Sequence, residues 1–345
     1  MFGVTISLNE KSVEENIDYL KEMKNLGASK VFTSLRIPEE DPKTIQVNLH
    51  EISKYLSKNF EEFIVDVSPR TFDNYSINFI KESGITGLRI DNGVSVEDIV
   101  KLSHSFKIIF NASTITKEFL DSLRQLGFQD DVVAWHNYYP KQYSGLDEFA
   151  FSKQNDFLKS MNVRVGAYIP GNLVARGTIY EWLPTLENHR FRDPFYCYLD
   201  MKYNYELNEI IIGDYGLSES SKNKFHCFFQ EAAIELSLLN CKDFRILSRK
   251  FRNRIDICRD AIRSVELKKD SIEVFTPNNN NKVREKGSVT IDNNYYGRYM
   301  GELQIILNEL PSDSRVNIVG EICEDDLVYL DFIKYNRLNY MFTKK

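Results

Sequence analysis

Short apolar runs that stop abruptly in polar residues recur along the first two thirds of the chain, with helical stretches between them. GVTISL, residues 3–8, leads into a helical pattern through Ile17, Leu20 and Met23, with Asn9 or Ser12 as N-cap and Gly27 as the stop. KVFTSLRI precedes helical periodicity at Ile45, Leu49, Ile52 and Leu56, and EFIVDVSP precedes a helix over about 73–83. GITGLRIDNG, KIIFNAST, DVVAWHN, VRVGAYIPG and NEIIIGD complete a set of eight strands. Strand starts fall roughly every 20 to 45 residues, the spacing of successive βα units. Right-handed crossovers close eight such units into an α/β fold, a (β/α)8 TIM barrel. An insertion containing LPTLENHR lies between the seventh and eighth strands, and a long helix is predicted from about Glu219 to Leu239.

The alternation ends near residue 245. Beyond it come the strand-like runs SIEVFTP, KGSVTIDN, GELQIIL and SRVNIVGEI, with the polar loop Asn278 to Asn281 among them. The expected organisation is a barrel over 1–242 followed by a small, mostly β domain over 243–345.

Apolar strands finishing in Asp, Asn, Ser or His are the pattern of a barrel whose site is built from strand C-termini. Asp66, Asp91 and Asp214 stand at such ends, and Glu39 and Glu40 follow the second strand. Glycosidic hydrolysis commonly needs one carboxylic acid to protonate the leaving oxygen and a second as nucleophile or base. Asp66 and Asp91, on neighbouring strands, are expected to face one mouth. Arg89, two residues before Asp91, points to the same side and pairs naturally with an acid or an anion. After the sixth strand, His136, Asn137, Tyr138 and Tyr139 offer hydrogen bonds and ring faces to a sugar. Glu187, His189 and Arg190 crowd the loop after the seventh strand, and Arg298 lies in TIDNNYYGRYMGEL of the second domain.

Composition narrows the classes. The 345 residues are 42% hydrophobic, enough for a substantial core, and the net charge of -6 leaves no electrostatic footprint for nucleic acid or an anionic membrane. No run of about 18 apolar residues and no leader pattern occurs, so the reading is of a soluble, cytoplasmic chain. Five scattered cysteines read as reduced thiols. Zinc-type spacings, Walker and GxGxxG fingerprints are absent, so neither metal nor cofactor is expected.

Taken together, VFTSLRIPEED, VDVSP, GLRIDNG, FNAST, WHNYYP with SGL after it, LPTLENHR, IIIGD, NRIDICRDAIRSVE and GSVTIDNNYYGRYMGELQI resemble the 6-phospho-N-acetylmuramidase (MupG) family, and they span nearly the whole chain. The resemblance implies a TIM barrel with a cyclophilin-like β domain. It also implies an intracellular hydrolase that splits the disaccharide of N-acetylmuramic acid 6-phosphate and N-acetylglucosamine in peptidoglycan recycling. Carried over by motif, Asp66, Asp91 and Glu187 are expected around the site; their side-chain chemistry makes Asp66 and Asp91 the leading acid and nucleophile or base pair, with Glu187 in reserve. Arg89, Asn111, His136, Asn137, Tyr139, His189, Arg190, Asp214 and Arg298 are the expected substrate contacts, and Arg89, Arg190 and Arg298 the candidates for phosphate or lactyl carboxylate. The stretch WLPTLE carries Trp182 where the family more usually has glycine. Which carboxylate is the acid, retention or inversion, a homo-oligomeric state, and whose barrel the small domain serves all stay open. So do two rivals: a sugar-phosphate isomerase or aldolase, and a non-catalytic protein binding cell-wall fragments.

Overall fold

A computed structural model describes residues 2–35, 41–91, 93–177, 179–270, 274–278 and 282–345. Glu39, Glu40 and Asn279 to Asn281 lie outside the described residues. The chain forms two compact units, Met1–Lys222 and Asn223–Lys345.

The first unit is a closed barrel of eight parallel strands. They are β1 Phe2–Thr5, β2 Lys30–Ser34, β3 Glu62–Val67, β4 Gly87–Ile90, β5 Lys107–Asn111, β6 Val133–Trp135, β7 Arg164–Ile169 and β8 Glu209–Ile212, and β8 pairs back onto β1. Between them run α1 Val13–Asn25, α2 Pro42–Asn59, α3 Pro69–Asn74, α4 Ile77–Glu82, α5 Val96–Ser103, α6 Lys117–Gln125, α7 Glu148–Ser160 and α8 Pro194–Leu199. The first helix starts in a capping box between Ser12 and Glu15, and Gly27 takes φ 97° just past its end. The single helix expected over 73–83 is two short ones, because Tyr75 turns extended between them.

Side chains alternate across a strand, so every second residue points into the barrel. The lowest interior level holds charges. Lys30 bonds Glu62 at 2.8 Å and Glu209 at 2.9 Å, Lys107 bonds Glu62 at 2.8 Å, and the Trp135 indole donates to Glu209 at 2.8 Å. The middle level is a buried cluster of Phe32, Ile64, Ile109, Val133, Trp135, Tyr168 and Ile211. Each such fully buried side chain contributes about 1.5–3 kcal/mol. Gly166 makes room for the Trp135 ring, since a Cβ there would lie 2.5 Å from its Cδ1. The top level is polar and opens at the strand C-termini.

The helix expected to run to Leu239 ends sooner. The ninth helix, α9, covers Glu219–Glu231, Ala232 takes φ 51°, and Ala233–Leu239 is β9. AIELSLL buries Ala233, Ile234, Leu236 and Leu238 and pairs in parallel with the C-terminal strand, so the expected boundary at 242/243 moves back to 222/223. The second unit continues with β10 Lys250–Arg252, β11 Ala261–Ser264, α10 Glu266–Asp270, β12 Ser288–Asp292, β13 Leu303–Ile306, β14 Val316–Ile322, α11 Leu330–Asn336 and β15 Asn339–Lys344. Its seven-stranded sheet runs β10-β15-β9-β14-β12-β13-β11 and is antiparallel except at β9–β15. Of SIEVFTP, residues 271–273 lie outside the described residues and 274–277 form no strand.

Candidate active site

The polar top of the barrel lines a cavity of about 540 Å³, walled by Ser34, Asp66, Ser68, Arg70, Arg89, Asn137, Tyr138, Tyr139, Pro140 and Tyr168. Asp66 near the end of β3 and Arg89 in β4 form a buried pair at 3.0 Å. The other arm of Arg89 donates to the Asn137 side-chain oxygen at 2.5 Å and to the Trp135 carbonyl at 3.3 Å. Three expected site residues, Asp66, Arg89 and Asn137, are thus tied together, and Tyr139 joins them on the wall.

Asp91 and Asn111 lie elsewhere at the mouth. They line a separate cavity of about 170 Å³ with Ile90, Ile99, Phe110 and Phe119. Asn111 accepts the Ser113 amide at 3.1 Å, a local turn contact.

Most of the remaining expected contacts hold loops. WHNYYPKQYSGL and WLPTLENHR, which the sequence suggests as separate ligand stretches, bind each other. Tyr139 N–H donates to the Pro184 carbonyl and Leu146 N–H to that of Thr185, both at 2.9 Å. Glu187 accepts the amides of Tyr143 and Gly145 and the guanidinium of Arg190, which holds its carboxyl at about 2, well below the usual range. Arg190 is saturated, since it also donates to the carbonyls of Tyr139, Lys141, Glu181 and Trp182. Gly145 is needed, because a Cβ would meet Glu187 Oε2 at 2.6 Å. Trp182 sits at φ 63°, the left-handed region that favours glycine.

His189 is fully buried against Asp200 at 2.7 Å. His136 is also buried, bonded to Asn155 of α7 at 2.8 Å and packed on Phe151, and burial pushes its ring down to about 4. A neutral ring under a helix fastens β6 to α7 and does not line the cavity. Asp214 accepts three amides, from Gly171, Arg176 and Leu183, at 3.0–3.1 Å, and so ties down the insertion after β7. Burial raises its carboxyl above the usual range. Arg298 belongs to the second unit, where it lies over the Tyr299 ring and donates to its hydroxyl at 2.9 Å.

Sequence reasoning passed over Ser34, Ser68, Arg70 and Tyr168. The Tyr168 hydroxyl and Arg89 Nε are buried without a hydrogen-bond partner among the described residues, and both residues line the cavity. Strand parity is the signal that could have found Tyr168, which lies inward one level above Gly166. Among the described residues no cluster of three or more His, Cys, Asp or Glu side chains could hold a metal ion, and no helix is long and apolar enough to cross a membrane.

Polar groups gathered at the C-terminal ends of eight parallel strands make the first unit a TIM barrel laid out as barrel enzymes are. Family models then specify it further. The model described as 6-phospho-N-acetylmuramidase, N-terminal, matches residues 2–227, and its C-terminal counterpart matches residues 233–342. The chain belongs to the 6-phospho-N-acetylmuramidase family, whose name denotes a glycosidase. Among solved structures it is similar to a conserved Enterococcus faecalis protein of unknown function, with 33% identity and a TM-score of 0.83, over 100% of this chain and 96% of that one. It is similar also to an uncharacterized B. cereus protein, with 26% identity and a TM-score of 0.79, over 99% of both chains. No curated protein matches the sequence.

Proposed function

We propose that the protein hydrolyses the glycosidic bond between N-acetylmuramic acid 6-phosphate and N-acetylglucosamine, acting in the cytoplasm on fragments recovered from peptidoglycan. The observation that carries this reading is the Asp66–Arg89–Asn137 constellation on the wall of a sugar-sized cavity, in a chain that matches the family along its length. Asp66, a carboxyl group on the cavity wall, is suited to face the positive charge that develops on the sugar ring at the transition state. Asp91 is the companion carboxylate, working from the adjoining part of the mouth. Glu187, charged down to about pH 2 and occupied by Arg190 and two amides, supports the wall instead of donating a proton. Tyr138 and Tyr139 offer ring surface to the sugars.

The aldolase rival needs a lysine at the mouth, and the described cavity wall has none. Lys30 and Lys107 begin their strands at the opposite end, tied to Glu62 and Glu209. Incubation of the purified protein with phosphorylated and unphosphorylated muramyl disaccharides, followed by mass spectrometry, tests the proposal. Release of N-acetylglucosamine from the phosphorylated form is expected. Folded protein that releases nothing from either sugar overturns it.

A further inference from the structure

We infer that Arg70 is the residue that distinguishes a phosphorylated from an unphosphorylated sugar, an inference that rests on the proposed function and extends it. A phosphate ester is a dianion near neutral pH and needs a guanidinium or ammonium with free N–H groups facing it. Of the three arginines suggested by sequence for that task, Arg298 belongs to the second unit and bonds the Tyr299 hydroxyl, and Arg89 and Arg190 are engaged in the barrel. Arg89 gives one arm to Asp66 and the other to Asn137 and the Trp135 carbonyl, so its charge is already matched by a carboxylate. Arg190 is spent on Glu187 and four carbonyls. Arg176, which the insertion brings in, is buried, donates to the Ile6 carbonyl at 3.0 Å and lies against the Tyr138 ring without lining the cavity.

Arg70 differs from all of these. It is exposed, lines the cavity, and has no hydrogen-bonding or ionic partner among the described residues. Among the described residues the cavity wall holds two arginines, Arg70 and Arg89, and one carboxylate, Asp66. Arg89 and Asp66 face each other as a contact pair, so among these three it is Arg70 whose charge is left to face the cavity. Ser68, two residues earlier, lines the same wall and supplies a hydroxyl that can donate beside it. Arg70 follows directly on the Asp66 strand, so an anion held there keeps its sugar within the same cavity as the carboxylate.

The test is calorimetric titration of the wild type, Arg70→Ala and Arg70→Lys with N-acetylmuramic acid 6-phosphate and with N-acetylmuramic acid, alongside kcat/KM on the two disaccharides. The expected result is roughly 10- to 100-fold weaker binding of the phosphorylated sugar by Arg70→Ala, with the unphosphorylated sugar within about 2-fold and a partial return in Arg70→Lys. Equal weakening of both sugars, or an unchanged preference, overturns the role of Arg70. A wild type that prefers the phosphorylated sugar while Arg70→Ala keeps that preference leaves the proposed function standing and removes only Arg70. A wild type without any preference overturns the role of Arg70, and one that cleaves neither disaccharide overturns the proposed function as well.

Discussion

Asp66 and Arg89 are register partners across the β3–β4 ladder, and their side chains close the same step with a 3.0 Å ion pair buried at the base of the mouth. Each is the other's counter-charge, so neither can be removed alone without leaving an uncompensated ion in the interior. Asp66→Asn is expected to lower stability by about 3–5 kcal/mol and turnover by roughly 10²–10⁴-fold. The double variant Asp66→Asn with Arg89→Gln should recover much of the stability and none of the turnover. Thermal melts and the disaccharide assay read the two effects separately, and full turnover in folded Asp66→Asn would remove Asp66 from the chemistry.

Glu187 is expected to act through the fold and to do so pH-dependently. Its carboxyl sits at about 2 in the folded chain, below the ordinary 4.5, chiefly because Arg190 bonds it. A depressed acid stabilises the folded state above its unfolded value, and the contribution fades as pH falls from about 4.5 towards 2. Glu187→Gln should therefore be less stable than the wild type by about 1–2 kcal/mol at pH 7, with the gap narrowing below pH 4.5. Denaturant titrations at pH 7, 4 and 3 measure it, and a pH-independent gap contradicts the Arg190 pairing.

Asp292 on β12 has the opposite sign. Burial, helped by neighbouring Glu302, raises its carboxyl to about 7. Between about pH 4 and 7 the folded chain then holds a proton that the unfolded chain has lost, so stability falls as pH rises. Asp292→Asn should gain up to roughly 2–4 kcal/mol at pH 7.5 and nothing near pH 4. An equal effect at both pH values would show that the carboxyl is not shifted.

Gly166 is expected to tolerate no side chain. A Cβ would lie 2.5 and 2.8 Å from Trp135 Cδ1 and Nε1, and moving that ring breaks its bond to Glu209. Gly166→Ala should cost about 1–3 kcal/mol and change tryptophan emission, since Trp135 is one of only two tryptophans. An unchanged melt and spectrum would mean the barrel interior is looser than its packing implies.

The barrel was legible because each of its strands announces itself locally, as an apolar run with a polar stop, and parallel pairing adds nothing a reader must see at long range. Asp66, Arg89 and Asn137 were legible for the same reason. His136 and Glu187 were not, because a polar side chain beside a mouth has the same local signature whether it faces a ligand or fastens a loop. Only partners distant in sequence, such as Asn155 for His136 and Tyr143 and Gly145 for Glu187, tell the two apart. Arg70 went unnoticed for the converse reason, since nothing nearby in sequence engages it. The β9 strand was hidden because its partner β15 lies about a hundred residues away, while AIELSLL alone extends a helix equally well.

Below the mouth the barrel is closed twice, by the packed middle level and by the four charged side chains tied across its lower end, Lys30, Glu62, Lys107 and Glu209. Together they make the barrel a well that opens at the strand C-termini. Under the proposed function, a disaccharide cleaved inside would leave as two sugars by the route it entered, the one seated deeper waiting for the other. Product release would then be ordered by depth, and the sugar that leaves last is the one expected to inhibit competitively.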